Sequence, residues 1–165
     1  MDLSTFYALM SVTCFTLVGL WWTAIEKHDE WRTNRRLRRL AGGTYLSFLL
    51  PGVMSMMSQV NPDNPLMWRI SFGLTSIVGL VTSIMLVRVE APSHVGPFRR
   101  FRWLAPVLYG AIVVLGLFPE LAKVIGAAPL QVASVLLMLL ILLAHGFTWE
   151  FLMEPDEVKR SGQYS

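Results

Sequence analysis

Five long runs of apolar residues, separated by short polar connections, make up most of the chain. Within the runs, apolar and polar positions do not alternate with a period of 3.6 or two residues, as they would in a helix or strand at the surface of a water-soluble core. A helix needs about 20 apolar residues to cross a bilayer. The pattern therefore predicts transmembrane helices over residues 3–25, 40–60, 70–87, 103–118 and 124–149.

The fourth run, residues 103–118, is the shortest and falls below the roughly 17–25 residues of ordinary spans. Two arrangements account for it. In the first, the run crosses the membrane as a helix that is tilted, shielded by its neighbours or extended past Pro119. In the second, the protein has four spans and a re-entrant segment. We expect the first arrangement, with five spans.

The composition agrees with a membrane protein, since only 15% of the residues are charged and 54% are hydrophobic. Soluble domains contain about 25% charged residues. Because the spans use most of the 165 residues, we expect one domain over residues 1–165, with residues 150–165 as a short cytoplasmic tail. No basic residue precedes the first run, so we expect no cleavable signal peptide. The predicted fold class is an all-α polytopic bundle.

The Lys and Arg residues alternate between the two sides of this bundle. All but two of the 14 lie after the first run, after the third run or in the tail, and the two exceptions are Arg69 and Lys123. The positive-inside rule places the basic connections in the cytoplasm. The N-terminus is then outside and the C-terminus inside, as an odd number of spans requires. This pattern is typical of a bacterial inner (plasma) membrane.

Tryptophans lie close to the predicted helix ends. Trp68 marks the outer end of the third helix. Indole rings prefer the level of the lipid headgroups, where the ring is in an apolar environment and the N–H is hydrated. We expect these residues to anchor the bundle in the bilayer. Those on the inner side are Trp21, Trp22, Trp103 and Trp149.

Small and polar residues recur every four positions in the second and third helices. Small residues allow helices to approach closely in lipid, and a proline with polar neighbours can border a water-filled path. Two interpretations stay open: packing inside the protein's own bundle, or a subunit interface and pore lining. The residues concerned are Ser47, Pro51, Ser55 and Gln59 in the second helix, and Ser71, Thr75, Gly79 and Ser83 in the third.

No Asp, Glu, Lys, Arg or His lies near the centre of any predicted span. Ion-coupled transporters need such groups at the midplane, whereas a passive pore does not. His145 lies near the inner end of the fifth span, and together with Glu150 it forms a possible pH-sensitive switch. Because Cys14 is the only cysteine and no zinc or haem motif occurs, we expect no metal and no other cofactor.

The inner connections are the strongest polar feature of the sequence. Basic clusters of this kind attract anionic lipid headgroups, at about 1 kcal/mol per basic residue. We expect headgroup binding, with an acidic cytoplasmic partner or a phosphorylated ligand as the alternative and no nucleic acid. Before the second span, one face of a helical extension would carry Arg32, Arg35, Arg36 and Arg39. The basic residues are Arg32, Arg35, Arg36, Arg38, Arg39, Arg99, Arg100 and Arg102.

Three functional hypotheses follow. The first is a homo-oligomeric channel or pore-type protein with a basic cytoplasmic face, which would favour anions. The second is a non-catalytic accessory or anchoring subunit that binds a partner membrane protein. The third is a small membrane enzyme or redox subunit acting through His145 and Glu150. No catalytic motif occurs in the sequence, so we expect the protein not to be an enzyme.

Overall fold

The computed structural model describes residues 2–60, 65–89, 101–124 and 126–153. These residues form helices and connecting turns, with no strand among them, which confirms the all-α prediction. The helices are α1 (Leu3–Glu26), α2 (Asp29–Thr33), α3 (Arg35–Val60), α4 (Pro65–Val89), α5 (Leu104–Leu117), α6 (Leu121–Val124) and α7 (Pro129–Met153).

Four of these helices, α1, α3, α4 and α7, are long and apolar enough to cross a membrane. They are the helices of a small membrane protein. The remaining apolar helix, α5, has 14 residues, which corresponds to about 21 Å along the axis. The hydrocarbon core of a bilayer is about 30 Å thick. A fifth crossing would therefore need the residues on either side of α5.

α2 and α3 are separate helices because Asn34 interrupts them. The Asn34 side chain accepts hydrogen bonds from the backbone N–H groups of Arg36 (2.9 Å) and Leu37 (3.4 Å). Asn is a preferred residue at this position because it satisfies N–H groups that lack a helical partner. The predicted continuous helical extension is therefore wrong, and Arg32 lies on a different helix from the arginines that follow it.

α7 begins at Pro129, later than the predicted start at Val124. Gly126 has a φ of 70°, which glycine adopts without strain, and this turn separates α6 from α7. Proline suits the first position of a helix because its missing N–H would have no partner there. The Gln131 side chain accepts a hydrogen bond from the N–H of Ala128 (3.0 Å), as in a capping box.

α3 is the central helix of the bundle. It packs against α1, α2, α4 and α7, while α5 lies against α4 and α7. Ile112 of α5 and Leu137 of α7 have no exposed surface, so α5 belongs to the interior of the bundle. The core cluster includes Tyr7, Leu50, Met54, Phe72, Tyr109, Ile112, Ala133 and Leu137.

Side-chain bonds to backbone carbonyls join the helices at the end where α1 begins, which we call the Arg69 end. The Tyr7 hydroxyl donates to the carbonyl of Leu130 (2.7 Å) and joins α1 to α7. The Arg69 guanidinium donates to the carbonyls of Gly116 (2.9 Å) and Leu117 (3.1 Å). A cation is favourable at these unpaired carbonyls of a helix C-terminus. The contact also shows that α4 and α5 are antiparallel.

Trp21 and Trp68 are inside the bundle, with 4% and 7% of their surfaces exposed. The Trp21 indole N–H donates to the carbonyl of Ala41 (2.9 Å), so it is not available to lipid headgroups. The predicted anchoring role is therefore wrong for these two residues. It stays a prediction for the three tryptophans that are half exposed, which are Trp22, Trp103 and Trp149.

Candidate functional site

An aromatic cluster around Trp31, which we call the Trp31 cluster, lies at the end of the bundle opposite the Arg69 end. We call this opposite end the basic end. Trp31 of α2 is 1% exposed and stacks on Trp21 of α1, with ring centroids 5.5 Å apart. The His28 ring stacks on Trp31 at 4.3 Å, and Phe151 of α7 packs edge-on against Trp31 at 4.8 Å. Leu37 of α3 belongs to the same cluster. α2 is thereby attached to three long helices.

The acidic residues of α2 are paired within the same short segment. Asp29 forms an ion pair with Arg32, and Glu30 lies 3.0 Å from Nδ1 of His28. Pairs as exposed as these contribute little to stability. They do balance the charges of α2 locally, and they leave the arginines of α3 without an acidic partner from α2.

α3 begins with four arginines in its first five positions and has no acidic residue in its first turn. None of the four has an ion-pair partner in the part of the chain that the structure describes. Arg36 is half-buried, and the other three are exposed, namely Arg35, Arg38 and Arg39. Of the remaining predicted basic residues, Arg102 is half-buried, while Arg99 and Arg100 lie outside the described residues. The exposed arginines of α3 thus give the basic end a positive surface, which attracts anionic groups.

Gly79 of α4 packs against α5. A Cβ atom at this position would overlap the ring of Tyr109. Farther along the same pair of helices, a Cβ atom at Gly116 would lie 3.9 Å from Cα of Gly73. Small residues thus allow α4 and α5 to approach closely, as expected in lipid.

The α4 residues predicted to recur every four positions, Ser71, Thr75, Gly79 and Ser83, are called the α4 stripe. The three that carry hydroxyl groups are all half-buried. Ser71 and Ser83 donate to carbonyls of their own helix at 2.9 and 3.0 Å. The fully buried hydroxyl of α4 belongs to Ser76, which lies 4.0 Å from the sulfur of Met54. Sequence reasoning missed Ser76 because it lies outside the four-residue spacing.

The α3 residues predicted to recur every four positions, Ser47, Pro51, Ser55 and Gln59, are called the polar line. They are divided between buried and half-buried positions. Pro51 and Ser55 are buried, whereas Ser47 and Gln59 are half-buried. Ser47 donates to the carbonyl of Thr44 (2.7 Å), and the Gln59 amide donates to the carbonyl of Ser55 (3.2 Å). The Ser55 hydroxyl has no hydrogen-bond partner among the described residues. These polar groups therefore turn mostly to their own helix.

His145 and Glu150 lie on different faces of α7, because five residues correspond to about 140° around a helix. His145 is exposed, its Nδ1 donates to the carbonyl of Ile141 (2.8 Å), and its ring packs edge-on against Phe48 at 5.4 Å. Glu150 is half-buried and has interactions of its own. The described contacts of His145 do not include Glu150, and the pH-sensitive switch stays a prediction. Across the described ranges, no group of three His, Cys, Asp or Glu side chains could hold a metal ion.

No protein family, curated protein or solved structure matches the chain. The candidate site is therefore defined by the arrangement of the residues themselves. Its strongest element is the basic end, where the Trp31 cluster holds α2 beside the exposed arginines of α3. The predicted stripe and polar line belong to two different helices, and both contribute buried residues to the bundle's own packing.

Proposed function

We propose that this protein is a non-catalytic accessory or anchoring subunit of a larger membrane assembly. It has five spans, an outer N-terminus and a cytoplasmic C-terminus in a bacterial inner membrane. The observation that carries this proposal is the use of small residues inside the bundle, since the Gly79 contact with Tyr109 belongs to α4–α5 packing. The charged surface that is left for a partner is the basic end, where Arg35, Arg38 and Arg39 are exposed and have no ion-pair partner among the described residues.

The fifth span in this proposal is α5 with its flanking residues. α5 runs antiparallel to α4, with Gly116 beside Arg69 and Tyr109 beside Gly79. At its start, the exposed side chains of Phe101 and Trp103 extend the apolar surface. Such a helix would cross the bilayer while packed against α4 and α7. Because these neighbours cover part of α5, less of its surface must face lipid, and a shorter apolar helix is tolerated.

Cysteine labelling tests this topology in a Cys14→Ala background. A membrane-impermeant maleimide added to intact spheroplasts is expected to label Lys123→Cys, at the Arg69 end. It should label Arg38→Cys, at the basic end, only after permeabilisation. The reverse pattern would contradict the orientation. Protection of both positions in intact spheroplasts would show that α5 does not cross the membrane.

Native mass spectrometry of the protein extracted from its own membrane tests the assembly. The expected species contains a second, different membrane polypeptide in a fixed ratio to this chain. A single closed homo-oligomer without a second polypeptide would contradict the accessory role and favour a channel. The Cys14→Ala variant serves as the matched control, because it should retain the same partner and the same ratio.

A homo-oligomeric channel is the second candidate, and the Ser55 hydroxyl is the observation that favours it. A buried hydroxyl without a hydrogen-bond partner destabilises the folded protein. A water-filled path beside the Pro51 region of α3 would supply a water molecule as that partner. The arginines of the basic end would then give such a path an anion preference. This candidate requires anion-selective currents from the purified protein in planar bilayers, and these should decrease in a Ser55→Ala variant.

A further inference from the structure

An open strip runs along α3 at the basic end. Arg38, Gly42 and Tyr45 are separated by four and three residues, so they share one face of the helix. Apart from the adjacent residues and the backbone of α3 itself, no described atom lies within 4 Å of the position that a Cβ would occupy at Gly42. A glycine on this face therefore leaves a hollow between the arginines and the tyrosine.

α1 and α4 both pack against α3, at positions close to Gly42 in the sequence. Trp22 of α1 packs edge-on against Tyr45, with ring centroids 5.7 Å apart, and the indole remains 50% exposed. Gly43 faces α4 so closely that a Cβ there would lie 2.5 Å from Leu86. We call this feature the Gly42 crevice, formed by Trp22, Arg38, Gly42, Gly43, Tyr45 and Leu86.

Exposed positive charge surrounds the mouth of the Gly42 crevice. Arg35 lies three residues before Arg38, and Arg39 lies three residues before Gly42, so each is one helical turn from a residue of the crevice. All three are exposed and have no ion-pair partner among the described residues. Guanidinium groups bind phosphate oxygens through paired, charge-assisted hydrogen bonds. The mouth is therefore suited to a phosphate group.

The position of Gly42 below the arginines, toward the apolar part of α3, favours a lipid over a soluble anion as the ligand. The apolar part of α3 begins at Leu40, between the arginines and Gly42. Gly42 lies four residues below Arg38, which is about 6 Å along the helix axis. Arginines at the mouth would therefore meet headgroups, while Trp22 and Tyr45 would meet the glycerol region and the first acyl carbons. A soluble acidic protein would reach the arginines but not the floor.

We propose that the Gly42 crevice binds one anionic phospholipid from the leaflet at the basic end. Its phosphodiester contacts Arg35, Arg38 and Arg39, and one acyl chain passes over Gly42 along Trp22. All of these residues belong to a single protomer. The site therefore does not depend on the accessory role or on oligomer formation. If the lipid does not bind there, the proposed accessory role and the alternative of a homo-oligomer are unaffected.

Lipid titration of the purified protein in mild detergent, followed by native mass spectrometry, tests the site. The probes are phosphatidylglycerol and phosphatidylcholine with identical acyl chains. The wild type is expected to retain one phosphatidylglycerol in preference to phosphatidylcholine. Gly42→Leu should fill the hollow and weaken phosphatidylglycerol binding by about tenfold or more. Gly110→Leu is the matched control, because Gly110 of α5 also has open space at its Cβ position and α5 is not part of the crevice. This variant should bind like the wild type.

Charge variants test the mouth separately from the floor. Arg38→Gln should weaken phosphatidylglycerol binding by about fivefold and reduce its salt dependence. Arg36→Gln, at the half-buried arginine, should change binding less. Equal phosphatidylglycerol binding by the wild type and Gly42→Leu would overturn the proposal, as would equal binding of the two lipids. Full displacement of the lipid by equimolar glycerol 3-phosphate would identify a simple anion site and overturn the lipid assignment.

Discussion

Gly79→Ala is expected to destabilise the bundle by about 1–3 kcal/mol, the usual cost of overpacking a well-filled interior. The added methyl group would overlap the ring of Tyr109, which is itself only 4% exposed and belongs to the core cluster. The ring cannot move aside without displacing its neighbours, so α4 and α5 must separate. Unfolding of the purified protein in detergent, followed by circular dichroism, measures the loss.

Gly73→Ala is the matched control in the same helix, because no described atom lies within 4 Å of its Cβ position. It should change stability little. In a double-mutant cycle, Tyr109→Leu should make Gly79→Ala less costly than it is alone, because the overlapping ring is gone. If Gly79→Ala kept full stability but changed the oligomeric state, Gly79 would belong to a subunit interface and the assignment to α4–α5 packing would be wrong.

This pair of glycines shows what the sequence could predict and what it could not. The apolar runs predicted that the long helices exist, and the first run, Leu3–Ile25, differs from α1 by one residue. The predicted starts of α3, α4 and α7 were each wrong by five residues. Length and composition are local properties. Which atoms a small residue contacts depends on the helix that packs next to it, and that is a property of the whole fold. The sequence marked Gly79 as a packing or interface position but could not name its neighbour. The fold places the Tyr109 ring against Gly79, whereas Gly73, six residues earlier, has open space at its Cβ position.

The basic end illustrates the same division. The clustering of arginines is visible in the sequence, and the arginines of α3 are largely exposed, as lipid or partner contact would require. The break at Asn34 was not anticipated, because a single capping residue decides whether two helical segments join. Trp31 lies among charged residues, so no periodic pattern marks it as buried. Its burial depends on Trp21 and Phe151, which are distant in sequence.

Trp31→Ala should therefore produce the largest loss of stability at the basic end, about 3–5 kcal/mol. The substitution would empty the centre of the cluster and remove the stacking contacts with Trp21 and His28. Because α2 has only five residues, it cannot remain helical on its own propensity once this side chain is lost. The same detergent unfolding experiment measures the change in stability.

Release of α2 has a second consequence, which limited trypsin digestion can measure. The bonds after Arg32, Arg35 and Arg36 should be cleaved faster in Trp31→Ala than in the wild type, since the segment would open locally. Trp149→Ala is the matched control, because Trp149 lies near the same end but is 54% exposed. It should change neither stability nor cleavage appreciably. Equal cleavage rates in wild type and Trp31→Ala would show that α2 is held by contacts other than the Trp31 cluster.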